Sequence, residues 1–159
     1  MSAVKLVPML ISLVCVLLSQ IPLPFLSLLT SPDMVLISLF YWGQARPSNL
    51  PLWGVFIIGL ARDVLAGTPL GLYALLYMVF VLFLPNLRKI DFSRFSYLWL
   101  GFSLFSLGFW LSFWSIFSFY LQYRLPFEDM VGQWLITAIF YPILYWIFQI
   151  IDAKLTEVG

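Results

Sequence analysis

Charged residues along this chain are gathered into a few narrow places, and long apolar runs separate them. No charge occurs between Lys5 and Asp33, and residues 6–29 form a run longer than the roughly 20 that carry a helix across hydrocarbon. The run continues through Gln20, Ile21, Pro22, Leu23 and Pro24 without a small-residue cleavage site, so it reads as a retained first transmembrane helix. Ser31, Pro32 and Asp33 offer an N-cap, a proline at the first helical position and an acid on the positive end of a helix dipole. They open a second helix over residues 31–45 that stops near Arg46 and Pro47. At 1.5 Å per residue it covers only about 22 Å. It therefore crosses a locally thinned bilayer, or forms half of a re-entrant hairpin with a third helix over residues 50–66.

Gly67, Thr68 and Pro69 supply the next break: a glycine for a left-handed cap, an N-cap hydroxyl, and a proline opening a fourth helix over residues 69–87. Arg88, Lys89, Asp91 and Arg94 mark a polar connection before an uncharged fifth helix, residues 95–123. Arg124, Glu128 and Asp129 form another polar turn, and residues 130–151 supply a sixth helix that Pro142 is expected to bend. The fold class that follows is an all-α integral membrane protein of about six transmembrane helices, one polytopic domain over residues 1–159. With six spans, Lys5, Arg46, Arg88, Lys89, Arg94 and Lys154 fall on one side and only Arg124 on the other. That bias places both termini of a multi-pass membrane protein in the cytoplasm.

Composition agrees: 63% of residues are hydrophobic and 9% charged, against roughly 45–50% and 25% in soluble domains. A formal charge of +1 is too weak a field to hold nucleic acid. One cysteine and no histidine argue against intrachain disulfides, zinc sites of the Cys/His type and imidazole catalysis. Cys15 reads as a packed thiol, since Val14 precedes it where a lipoprotein signal has a small residue. No phosphate-cradling loop, nucleophile elbow, zinc spacing or dinucleotide glycine fingerprint occurs. No enzyme, catalytic residue, cofactor or metal site is expected.

The most informative residues are Arg62 and Asp63, because a charge inside a span costs on the order of 2.5–3.5 kcal/mol on insertion scales. Asp63 shares a helical face with Gly59 and Gly67, a small-residue groove that would admit another helix. Three readings stand: Asp63 caps the next turn while Arg62 snorkels to the surface, Asp63 organises an interior polar cluster joining helices, or it serves a proton or substrate relay. Tyr41 and Trp42 suit an aromatic belt at the cytoplasmic interface. On the fifth helix Phe102, Phe105, Phe109, Trp110, Phe113, Trp114 and Phe117 form an aromatic surface, with Gly101, Gly108, Ser112 and Ser115 on another stripe. The small residues are expected to pack inward and the aromatics to face lipid, or else to dock another membrane protein.

In chain order, Ser31-Pro32-Asp33, the apolar run ending in Tyr41-Trp42, Arg46-Pro47, Gly59 with Asp63, and Gly67-Thr68-Pro69-Leu70-Gly71 with Ala74-Leu75 resemble the MreD family of rod shape-determining proteins. The specific stretch covers about residues 31 to 75, and the span number and Pro142 are compatible over the rest. The resemblance implies a non-enzymatic intramembrane scaffold of the cell-elongation complex, involved in cell shape and lateral peptidoglycan synthesis. Its implied partners are an MreC-like membrane protein, the MreB cytoskeleton, the RodA glycosyltransferase with its penicillin-binding transpeptidase, and membrane lipid. The layout is also similar to the six-helix substrate-binding subunits of energy-coupling-factor vitamin transporters, which gives the alternative function. Those subunits use an A-x-x-x-A face on their first helix, whereas Ala3 is the only alanine before Ala45 here. A holin-like pore, a third class, would show polar stripes along several helices, at which only the serines of the fifth helix hint.

Overall fold

The computed structural model describes residues 6–20, 31–87, 95–122 and 126–158. Among them are six α-helices: α1 (Val7–Leu18), α2 (Met34–Ala45), α3 (Leu52–Ala66), α4 (Leu72–Leu87), α5 (Phe95–Leu121) and α6 (Phe127–Val158). A single 3₁₀ turn, Pro47–Asn49, joins α2 to α3. Of these, α5 and α6 are long and apolar enough to cross a membrane, while α1, α2 and α4 are shorter apolar helices.

The helices α1, α3, α4, α5 and α6 pack in that order around α2, which touches α1, α4 and α6. Every residue of α2 from Val35 to Gly43 is buried. Its sequence has no polar face to turn outward, so the helix is enclosed on all sides by its neighbours. Burial at this depth has a cost at the helix ends, because orphan backbone groups away from water need protein partners.

Several starts and stops differ from the sequence reading. The first helix ends at Leu18, with the amide of Ser19 on the carbonyl of Cys15; residues 21–29 of the expected 6–29 span lie outside the described residues. Ser31 and Pro32 precede α2, and Asp33 is itself the N-cap, accepting the amide of Leu36. The third helix starts at Leu52 rather than residue 50, after an extended Pro51. Gly67 takes the expected left-handed cap at φ 67°. Thr68 and Pro69, however, do not open α4: the chain turns once more through Gly71, at φ 98°, and the helix begins at Leu72. The sixth helix starts at Phe127, with Glu128 and Asp129 in its first turn on the positive end of the dipole, and runs on past residue 151.

Pro142 lies inside α6 without ending it. A proline there leaves the carbonyl of residue 138 without its helical amide. The indole Nε1 of Trp99 on α5 donates to that Ala138 carbonyl at 2.9 Å. In the reverse direction Trp134 Nε1 on α6 donates to the Ser103 carbonyl on α5, also at 2.9 Å. The two longest helices are thus cross-linked by a reciprocal pair of indole bonds.

The aromatic surface of α5 faces opposite to expectation. Phe102, Phe105, Phe109 and Trp110 are buried, and Phe102 stacks on Tyr141 of α6 with centroids 4.2 Å apart. Ser103, Ser112 and Ser115 return their hydroxyls to carbonyls four residues back and line no polar channel. Flat rings fill the space between helices better than glycine and serine would, and lipid leaves no reason to keep them outside.

Candidate functional site

Two polar clusters mark the two ends of the bundle, and the buried one satisfies helix starts that the enclosed packing would otherwise leave without partners. At one end stand the start of α2, the end of α3 and the start of α4. Asp63, in the last turn of α3, is fully buried. Its Oδ1 accepts the Thr68 hydroxyl at 2.8 Å and the Tyr73 amide at 2.9 Å. Its Oδ2 accepts the amides of Gly71 at 2.9 Å and Ala74 at 3.4 Å. One carboxylate thereby caps the N-terminus of α4 from eight to eleven residues upstream, taking the place that a local hydroxyl normally fills. Capping and interior organisation, separate readings of the sequence, coincide in one side chain.

The close approach that this needs comes from Gly59. A Cβ there would meet the backbone of Ala74 and come within 3.0 Å of its Cβ, so α3 and α4 touch through their main chains. Gly59, Asp63 and Gly67 recur every four residues along that contact.

Asp33 is the second buried carboxylate of this end. Besides capping α2 it accepts the Tyr77 hydroxyl, 3.2 Å from Oδ1 and 3.0 Å from Oδ2. Its own amide donates to Thr137 Oγ1 on α6 at 3.1 Å. Arg62 lies beside this group, only 6% exposed, with its guanidinium 5.4 Å from the centroid of the Tyr73 ring. It does not snorkel to the surface. Sequence reasoning missed Tyr73, Tyr77 and Thr137; the four-residue spacing of the two tyrosines, which puts both on one face of α4, was the available signal.

At the opposite end Arg46 Nε pairs with Asp152 on α6, and Arg46 Nη2 donates to Thr156 Oγ1 at 2.8 Å. Pro47 opens the 3₁₀ turn that follows. Tyr41 and Trp42 are not an interfacial belt: they are 7% and 0% exposed and pack edge to face on each other, 5.1 Å between centroids. Both rings also meet Phe148 of α6. Because α2 is enclosed, its aromatic end is sealed inside the protein. Among the described residues no group of three acidic, cysteine or histidine side chains could hold a metal ion.

The model of one protein family, rod shape-determining protein MreD, matches residues 2–151. The chain belongs to the MreD family. The likeness carried by residues 31 to 75 therefore extends over nearly the whole sequence. MreD membership gives the chain a rod shape-determining role, and MreD is a structural family rather than a known enzyme family. Together with its apolar helices it marks a membrane protein. Comparison with curated proteins returns no match, and neither does comparison with solved structures.

Proposed function

We propose that this MreD-family chain is a non-enzymatic intramembrane scaffold of the bacterial cell-elongation complex, acting in cell shape and lateral peptidoglycan synthesis by association with an MreC-like protein. The observation that carries the reading is the use made of its polar groups. Asp33, Asp63, Thr68 and Tyr77 are spent on capping helices and joining them, while the outer surface carries apolar side chains such as Leu10, Val64, Leu75, Leu82, Phe83 and Trp146. A protein so arranged offers other chains its flanks. On this reading Gly59, Arg62, Asp63, Gly67, Gly71, Pro32 and Asp33 fix one end of the bundle, and Tyr41, Trp42, Arg46 and Pro47 fix the other. Partner helices then meet a rigid surface.

The chain forms a single polytopic domain with six spans in the inner membrane and both termini in the cytoplasm, so the Asp33–Asp63 end faces outward. Deletion in a rod-shaped host gives rounded cells, and purification from that host recovers an MreC-like partner. Normal rods together with no such partner overturn the proposal. Reporter fusions at the two termini and at residue 126 test the orientation.

The alternative, a substrate-binding subunit of a vitamin transporter resembling the energy-coupling-factor type, is favoured by one observation: a cleft of 360 Å³ at the Asp63 end. Tight binding of a water-soluble vitamin by the purified chain would select it over the scaffold.

A further inference from the structure

Two residues in the wall of that cleft each carry a buried N–H with no hydrogen-bond partner among the described residues. The cleft opens between the ends of α1, α3, α4, α5 and α6, and Arg62, Tyr73, Trp110, Phe113, Trp114 and Met130 lie in its wall. Arg62 is 6% exposed and Trp110 5% exposed. The Nε of Arg62 and the Nε1 of Trp110 are both buried and without a hydrogen-bond partner among the described residues. An orphaned buried N–H costs on the order of 1–3 kcal/mol, more where the group is charged. Two of them bordering the same space point to a ligand that brings acceptor oxygens.

Two other polar side chains of the wall are already engaged. Ser19 donates to the Cys15 carbonyl at 2.7 Å, and the Gln133 side-chain amide donates to the Ser31 carbonyl. Asp33 makes no ion pair with Arg62 among the described residues and is held by the Leu36 amide and the Tyr77 hydroxyl. The Arg62 guanidinium lies over the Tyr73 ring, and its Nε has no hydrogen-bond partner among the described residues. Guanidinium edge and indole N–H suit phosphate oxygens. The carboxylate in the wall, Asp129, is exposed at the mouth. There it opposes a multiply charged free anion and tolerates a headgroup whose single phosphate charge sits deeper, followed by an ammonium. Phe113, Trp114 and Met130 give the rest of the wall an apolar character suited to glycerol and the first acyl carbons.

We infer that this cleft binds the phosphate of a membrane phospholipid through Arg62 and Trp110. The inference goes beyond the scaffold reading, and lipid binding is read separately from partner recovery, so the two fail independently.

Native mass spectrometry of the full chain in detergent, with phosphatidylethanolamine, diacylglycerol or inorganic phosphate added, tests it. The phospholipid binds, and diacylglycerol and inorganic phosphate bind at least ten-fold more weakly. Arg62→Gln weakens the phospholipid about ten-fold or more, as expected for a hydrogen bond to a charged group. Trp110→Phe, which keeps the ring and removes only the N–H, weakens it by about three-fold to ten-fold and serves where Arg62→Gln does not fold. Lys154→Gln, removing an exposed cation at the other end, leaves binding unchanged. Equal phospholipid binding in wild type and Trp110→Phe overturns the inference, as does equally strong binding of diacylglycerol. Inorganic phosphate taking the site in place of the lipid overturns it as well.

Discussion

Replacing Asp63 by alanine removes four accepted hydrogen bonds at once. The Thr68 hydroxyl and the Gly71 amide are only half-buried and find water once the carboxylate is gone. The amides of Tyr73 and Ala74 are buried and do not. Two stranded amides at roughly 1–3 kcal/mol each put the loss at about 4 kcal/mol, well above the usual ~1 kcal/mol of an exposed N-cap. At roughly 2–4 °C per kcal/mol for a chain of this size, the melting temperature falls by about 10 °C. Asp63→Asn keeps one acceptor and turns an amino group toward the remaining donors, so it falls between alanine and wild type. Thermal unfolding in detergent, followed by size-exclusion chromatography of heated aliquots, measures the shift. The control is Asp129→Ala, which removes an exposed first-turn acid worth about 0.3–1 kcal/mol. Asp63→Ala melting no lower than Asp129→Ala would refute the capping argument.

Gly59→Ala pushes a methyl into the Ala74 backbone and lowers the melting temperature, whereas Gly108→Ala, whose Cβ meets Phe80 at an ordinary 3.6 Å, is neutral or stabilising by up to about 1 kcal/mol through helix propensity. Tyr77→Phe destabilises by about 1.5–3 kcal/mol, and a double-mutant cycle with Asp33→Asn shows coupling, because the lost hydroxyl serves that carboxylate. Trp99→Phe weakens the α5–α6 contact by about 1 kcal/mol, and the loss shrinks in a Pro142→Ala background, where the Ala138 carbonyl regains a helical amide. Arg46→Gln costs only about 0.2–1 kcal/mol, since the Arg46–Asp152 pair is 21% and 26% exposed, and high salt reduces the difference.

Helices and their polar breaks were legible because a charge in an apolar run has few physical justifications. Asp63 stood out for that reason, and Gly59 and Gly67 gave its face. What misled was Thr68-Pro69, a strong local start signal. A carboxylate five residues before Thr68 outbids that signal by accepting the Gly71, Tyr73 and Ala74 amides of a helix start that comes later. The inward face of α5 was illegible for a different reason. Periodicity defines a stripe, but in lipid both the core and the surroundings are apolar, so hydrophobicity does not say which way the stripe points. Tyr73 and Tyr77 were hidden likewise, since their rings read as filler until Asp33 and Arg62 are seen beside them. Trp110 shared that fate: only the geometry reveals an indole N–H with no acceptor among the described residues.

The enclosed second helix also sets an order of events during synthesis. Its two ends are fastened to Thr137 and Asp152, partners 104 and 106 residues further along. At about 5–20 residues per second the ribosome needs roughly 5–20 s to deliver them. Until then the nascent helix lacks those two fastenings, so α6, made about a hundred residues later, locks the first half in place.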